Sequence, residues 1–357
     1  MSGISRRSLL KLAGLGTAAG TAALGSRAAF AKATAPEGVS GQGGSYDTMP
    51  HAAHAMGPVG RVPTARFDPS SYLRNWNFSQ LAPVERARFY KETPRSDGTL
   101  LREYELVAVD REIEIAPGIF FPAWTFNGQV PGPTLRATEG DRVRVTFSNA
   151  GTHPHTIHFH GWHPPEMDGS LPEHQVMPGA TFVYEFDADP FGVHLYHCHA
   201  VPLKRHMHKG LSGMFIVDPR TARPAADELI MVMNGFDTNF DSDNEVYALN
   251  TIANHFMHEP IKVAVGALVR MYLVNVTEFD LINSLHLHGM FFDVFRTGTS
   301  LTSSERTDTV MLCQGERAIL ETRFRYPGNF MFHAHQSEFA ELGWMGMFEA
   351  VGGRRDT

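Results

Sequence analysis

Two cysteines in a chain of 357 residues rule out a disulfide-built scaffold, because Cys198 and Cys313 could close one bridge at most. Runs of Lys or Arg are missing and the net charge is −7, so the chain lacks the electrostatic footprint that nucleic acid demands. Long apolar runs are missing too. The best candidate, an Ala/Gly/Leu stretch ending at Leu24, is short and Gly-rich, which argues against a retained membrane span. No long segment has a strong helical period, so a helical bundle is a poor fit. Histidine is nearly absent from the first 150 residues, where only His51 and His54 of the 19 occur.

What is present begins with an export signal. Ser5-Arg6-Arg7-Ser8-Leu9-Leu10-Lys11 is similar to the twin-arginine consensus, and Ala29-Phe30-Ala31 reads as a small-x-small cleavage site. Residues 1–31 are therefore expected to be removed, leaving a periplasmic or secreted protein. Residues 32–66 are rich in Gly, Ala and Pro and read as an arm. Its Met49, His51, His54 and Met56 could hold copper weakly, or simply be solvated. Residues 67–100 read as a lead-in without a clear period.

From Leu101 the chain has the texture of an all-β protein, with short Val/Ile/Phe/Thr runs punctuated by Gly and Pro. "RVRVTFSN" and "VRMYLVN" alternate as half-buried strands do. The chain also repeats itself. "TLRATEGDRVRVTFSNAGTHPHTIHFHG" (134–161) is echoed by "PIKVAVGALVRMYLVNVTEFDLINSLHLHG" (260–289), and "FGVHLYHCHA" (191–200) by "PGNFMFHAHQ" (327–336). Two similar domains follow, over 101–220 and 226–352, joined by the linker-like "DPRTARPAADE".

The repeat carries histidines in a fixed pattern. Four His-x-His pairs stand out: His158/His160, His197/His199, His286/His288 and His333/His335. On a strand, residues i and i+2 share a face, so each pair can offer two imidazoles to one place. One such pair would be compatible with a zinc site or a surface accident. Four at equivalent places in two repeats predict a metal centre. Cys198 lies between His197 and His199 and must face the other way, into its own domain. A thiolate there, with His155 and a histidine downstream, makes the His₂Cys set of a blue-copper site. Cys313, in "TVMLCQGERAILE", reads as a small buried hydrophobe on a strand. His163, His174, His194, His255 and His258 receive no ligand role.

"FNGQVPGPTLRATEGDRVRVTFSN", "HTIHFHG", "DGSLPEHQVMPG", "GVHLYHCH" and "SLHLHG" together resemble the two-domain multicopper oxidases, relatives of laccases and of copper nitrite reductases. The likeness covers residues 101–352. It implies two cupredoxin-like Greek-key β-sandwich domains. It implies type 1 copper at His155, Cys198 and His206, with non-coordinating Leu211 in the axial position. His208 competes with His206, and Met207 or Met214 could then sit near the axis. It implies type 2 copper at His158 and His286, and a binuclear type 3 pair at His160, His197, His199, His288, His333 and His335, about four coppers per chain. Asn283 and Ala334 stand where a second type 1 site would need His and Cys. Asp168, in "MDGS", matches the family acid that delivers protons to reduced oxygen, although it also suits an Asp-Gly turn; Glu338 is a further candidate.

A homotrimer with clusters at chain interfaces is also implied by the resemblance, as is a laccase-like reaction. A small reducing substrate gives electrons and O₂ is reduced to water. Phenols, aromatic amines, cuprous ion and a redox protein are all possible donors, with phenols favoured. Two alternatives stand beside it. Copper nitrite reductases carry Asp where this chain has His158, and lack members of several pairs. A non-catalytic copper carrier would need type 1 copper alone.

Overall fold

The computed structural model describes residues 67–76 and 82–352. The export signal and arm expected over 1–66 lie outside the described residues. The lead-in holds two short helices, α1 (Pro69–Arg74) and α2 (Pro83–Phe89). Asp68 caps α1 by accepting from the N–H groups of Ser70 and Ser71 at 3.0 and 3.2 Å.

Nine strands follow: β1 Tyr90–Pro94, β2 Leu100–Ala116, β3 Ile119–Phe126, β4 Gly132–Thr138, β5 Arg142–Asn149, β6 His158–Phe159, β7 Thr181–Asp187, β8 Gly192–His197 and β9 Ser212–Asp218. The short helix α3 (Leu203–His208) separates β8 from β9. They form a five-stranded sheet, β1-β2-β5-β7 with β3 also paired to β2, and a four-stranded sheet, β4-β9-β8-β6. The first sheet thus starts at Tyr90, inside the stretch read as lead-in.

The second half has β10 Asp227–Phe236, β11 Val246–Leu249, β12 Ile261–Ala264, β13 Val269–Asn275, β14 Ile282–Leu287, β15 Phe292–Arg296, β16 Glu305–Thr307, β17 Thr309–Cys313, β18 Arg317–Thr322, β19 Gly328–His333 and β20 Met345–Val351. Helices α4 (His255–His258) and α5 (Ser337–Glu341) are single turns. The sheets run β11-β10-β13-β18-β15-β16 and β12-β20-β19-β14-β17. The chain is cupredoxin-like and mostly β.

The sequence repeat is a repeat of pairing. Parallel β2/β5 and β4/β9 in the first half match parallel β10/β13 and β12/β20 in the second. Antiparallel β6/β8 and β8/β9 match β14/β19 and β19/β20.

Each half has its own core. Tyr104, Phe147, Phe159, Cys198 and Leu211 belong to the first; Leu273, Leu287, Phe332 and Trp344 to the second. A third apolar cluster lies between the halves, where Val193, Leu195, Met214 and Ile216 of β8 and β9 meet Ile230, Val232, Tyr272 and Val274 of β10 and β13. This corrects the reading of "VRMYLVN" as half-buried. β13 is buried at every position because one face lines the second core and the other lines the seam. Its Arg270 survives burial by bonding to Glu321 at 2.7 Å and Glu228 at 3.1 Å. "RVRVTFSN" does alternate, buried and half-buried, along β5. Cys313 is a second correction. On β17 Val310 and Leu312 point inward, so the period of two turns Cys313 outward, where it is exposed and unpaired with Cys198.

Candidate metal centres

β8 ends at His197, and the three residues 197–199 take opposite sides as strand geometry requires. Cys198 is completely buried in the first core, its N–H bonded to the Leu211 carbonyl at 2.9 Å. His197 and His199 face away, their rings 5.3 and 5.4 Å from that of His158.

Three ligand atoms converge on the inner side. Cys198 Sγ is 3.2 Å from His206 Nδ1 and 3.8 Å from His155 Nδ1, and the two nitrogens are 3.1 Å apart. The Thr156 N–H points at Sγ from 3.4 Å. His155 and Cys198 are wholly buried and His206 is 3% exposed. Burial pushes the thiol up to about 11 and the imidazoles down to about 2 for His155 and about 3 for His206. A soft cation would offset that penalty and stabilise the thiolate, which is the fit expected of copper in a His₂Cys set. His208 turns elsewhere. Its Nε2 accepts from the Asp237 N–H at 3.1 Å, and its ring packs against Phe121 and Phe279. Leu211 shares the Cys198 cluster, whereas Met207 and Met214 lie in the seam between the halves.

The remaining histidines form two matching half-sites. His158 faces His197 across β6/β8, and His286 faces His333 across β14/β19, in the same register. His160 Nε2 stands 3.3 Å from His197 Nε2; His288 Nε2 stands 2.9 Å from His333 Nε2. His158, His160 and His197 make one group of ligand atoms, and His286, His288 and His333 make the other. His199 and His335 flank them, with rings 5.4 and 5.3 Å from His158 and His286. Their backbones are held alike: His199 N–H bonds Thr156 Oγ1 at 3.0 Å and His335 N–H bonds Ser284 Oγ at 2.8 Å.

The outer nitrogens are held alike as well. The Nδ1 of His158 donates to the Asp168 carbonyl at 2.8 Å, that of His286 to the Asp308 carbonyl at 3.0 Å, and those of His197 and His333 to the carbonyls of Cys198 and Ala334. This tautomer leaves each Nε2 with a lone pair for a metal. Burial depresses His160 to about 2 and His197 to about 4, keeping both neutral and ligand-ready. Among the described residues, no ligand group draws on both halves.

The acids divide. Asp168 Oδ1 lies 3.3 Å from His158 Nδ1 and 3.8 Å from His163 Nε2. Burial pushes its carboxyl up, but the Ser170 hydroxyl and the neighbouring imidazoles outweigh this, and the net shift is downward. Glu338 is exposed on α5 and joins none of the ligand groups. Two residues at the half-sites carried no sequence signal. His163, given no ligand role, touches Asp168 and donates from Nε2 to the Phe159 carbonyl at 2.9 Å. Asp308, with Thr309 Oγ1 at 2.8 Å from His286 Nδ1, does for His286 what Asp168 does for His158. The repeat could not flag it, because Asp168 follows its histidine by 10 residues and Asp308 by 22. Asn283 is buried against Thr277, and Ala334 is fully buried, where the second half would need His and Cys.

Two family models described as multicopper oxidase match residues 111–222 and 224–352. A copper-containing nitrite reductase of Neisseria gonorrhoeae is 29% identical over 252 residues, covering 65% of this chain and 63% of that protein, so the chain spans just under two thirds of its length. Multicopper oxidase CTB12 of Cercospora beticola is 34% identical over 132 residues, 36% of this chain and 20% of that one. Among solved structures, one described as a multicopper oxidase superposes with a TM-score of 0.75 at 54% identity, covering 80% of this chain and 97% of the other. A copper nitrite reductase from Nitrosomonas europaea gives 0.65 at 27% identity over 71% and 94%. The blue copper oxidase from the same organism gives 0.64 at 29% over 70% and 85%.

Proposed function

The chain belongs to the multicopper oxidase family, and from that premise we propose that it is a laccase-like oxidase that takes electrons from a small reducing donor and reduces O₂ to water. His155, Cys198 and His206 would hold type 1 copper. His158 and His286 would hold type 2 copper, and His160, His197, His199, His288, His333 and His335 the type 3 pair. When bound, copper supplies the one-electron acceptor at the first site and the oxygen-reducing centre at the others. Asp168, ionised at rest, would take up a proton at Oδ1 only in passing it on toward the centre. We also propose export by the twin-arginine route, on the strength of Arg6 and Arg7 and the Ala29–Ala31 site.

One observation carries the oxidase reading: both half-sites hold a close Nε2–Nε2 pair, 3.3 Å in the first half and 2.9 Å in the second. A single catalytic copper leaves most of these eight imidazoles without work. A binuclear pair with a third ion uses them all. Since the ligand groups stay separate within one chain, the proposal includes a homotrimer in which neighbouring chains join their half-sites. Nitrite reduction is the second reading, because relatives of both names align.

Oxygen uptake by copper-loaded protein with a phenolic donor, beside an anaerobic nitrite assay and metal analysis, separates the readings. Oxygen consumption without peroxide at about four coppers per chain supports the oxidase. Nitrite consumption at about two coppers favours the reductase, and one copper with neither reaction favours a carrier.

A further inference from the structure

The ligands of the first site are sealed from solvent, so a donor cannot reach them directly. His155 and Cys198 are wholly buried and His206 is 3% exposed. The indole of Trp124, itself 3% exposed, covers both imidazoles, with centroids 5.4 Å from His155 and 4.8 Å from His206. Two half-buried side chains reach the outer part of that indole. The His153 ring lies 4.4 Å away, and the Arg205 guanidinium sits over the indole at 5.1 Å.

The rim is cationic. The stretch 203–209 carries Lys204, Arg205 and Lys209 and no acid. Lys204 is exposed, and its Nζ lies over Phe279 at 4.3 Å. Lys209 is 1% exposed, buried among Phe121, Phe240 and Trp124, so the charges a visitor meets are those of Lys204 and Arg205. The Asp110 carboxylate is 4% exposed and accepts from the Thr152 hydroxyl, so it offers little to a visitor.

Resting on the oxidase reading, we propose that the Trp124 rim, formed by His153 and Arg205 with Lys204 beside them, docks a small anionic one-electron donor. No enclosed pocket is needed for outer-sphere transfer, so a small donor resting on the rim suffices. Electrostatic complementarity selects its sign. With copper held by His155, Cys198 and His206, the docked donor would give up one electron through the indole and one ligand imidazole, and the metal would be its acceptor. No bond forms, and no proton moves at that step.

The test uses two outer-sphere donors of opposite charge, iron(II)-EDTA and hexaammineruthenium(II), and records anaerobic bleaching of the blue band in wild type, Arg205→Gln and Lys204→Gln. A second measurement is the binding of redox-inert hexacyanocobaltate(III) to copper-free protein by calorimetry. Bleaching by iron(II)-EDTA is expected to slow with salt and to fall about tenfold in Arg205→Gln, with a smaller loss in Lys204→Gln. The ruthenium rate should hold or rise, showing that the variants are folded. Hexacyanocobaltate should bind wild type and lose affinity in Arg205→Gln. Equal iron(II)-EDTA rates in all three proteins, or anion binding indifferent to both substitutions, would overturn the proposal. If copper loading gives no blue protein, the oxidase reading fails instead, and the calorimetry on copper-free protein still decides whether this rim is an anion site.

Discussion

At the scale of residues, position 198 decides the character of the centre. Cys198 Sγ lies 3.2 Å from His206 Nδ1 on the inner side, while the imidazoles on either side of it face His158. Cys198→Ser should therefore lose the blue colour and keep the copper of the half-sites, measured by visible absorption and metal analysis together. His206→Ala should lose the colour as well. His208→Ala should stay blue, because His208 lies against Phe121 and Phe279 and bonds the Asp237 backbone. The His-x-His pairs were readable because a strand's period of two is rigid. His206 against His208 was not, since both lie on the short helix α3, where neighbours two apart diverge. Asp308 was unreadable for another reason. It reaches His286 from an adjacent strand connection, and sequence spacing holds no trace of that approach.

Elements impose their own limits. The four-stranded sheet brings β9 so close to the Tyr196 ring that a Cβ at Gly213 would meet Tyr196 Cζ and Cε1 at 2.5 and 2.7 Å. Tyr196 is fully buried and donates its hydroxyl to the Pro133 carbonyl at 2.6 Å, so the ring cannot retreat cheaply. Gly213→Ala is expected to cost about 1–3 kcal/mol in denaturant unfolding, as overpacking does. The same strand pairing, β8 with β6 and β9, sets the register of His158 and His197, so the first half-site should lose metal affinity in step. Strand existence was legible from alternation at β5. At β13 the pattern misled, because a seam between two halves buries the face that a lone sandwich would show to water.

For the molecule as a whole, the joint between halves rests on more than apolar contact. Arg136 holds Asp218, the last residue of β9, at 2.7 and 2.8 Å, and Glu228, near the start of β10, at 2.6 and 3.2 Å. One guanidinium thus ties both ends of the linker. Arg136→Met leaves two carboxylates facing each other in a half-buried place. It should destabilise the chain by about 3 kcal/mol, read from denaturant midpoints. The cost should shrink as pH falls through the carboxylate range. Glu228 has its carboxyl held low, with burial opposed and outweighed by Arg136, so its contribution is present at neutral pH and lost as acid protonates it.

The sealing of the first site has a consequence for how the protein acquires its metal. The two half-sites open outward, with His288 exposed and His158, His160 and His286 half-buried, while His155, Cys198 and His206 are closed over by Trp124. Ions added to a folded, metal-free chain will meet the outer imidazoles at once, but must wait for a local opening to reach the thiol. Uptake should be biphasic, with the colour lagging behind the total copper bound. The lag is the lifetime of the closed indole cover, and it can be timed by watching the blue band grow after mixing.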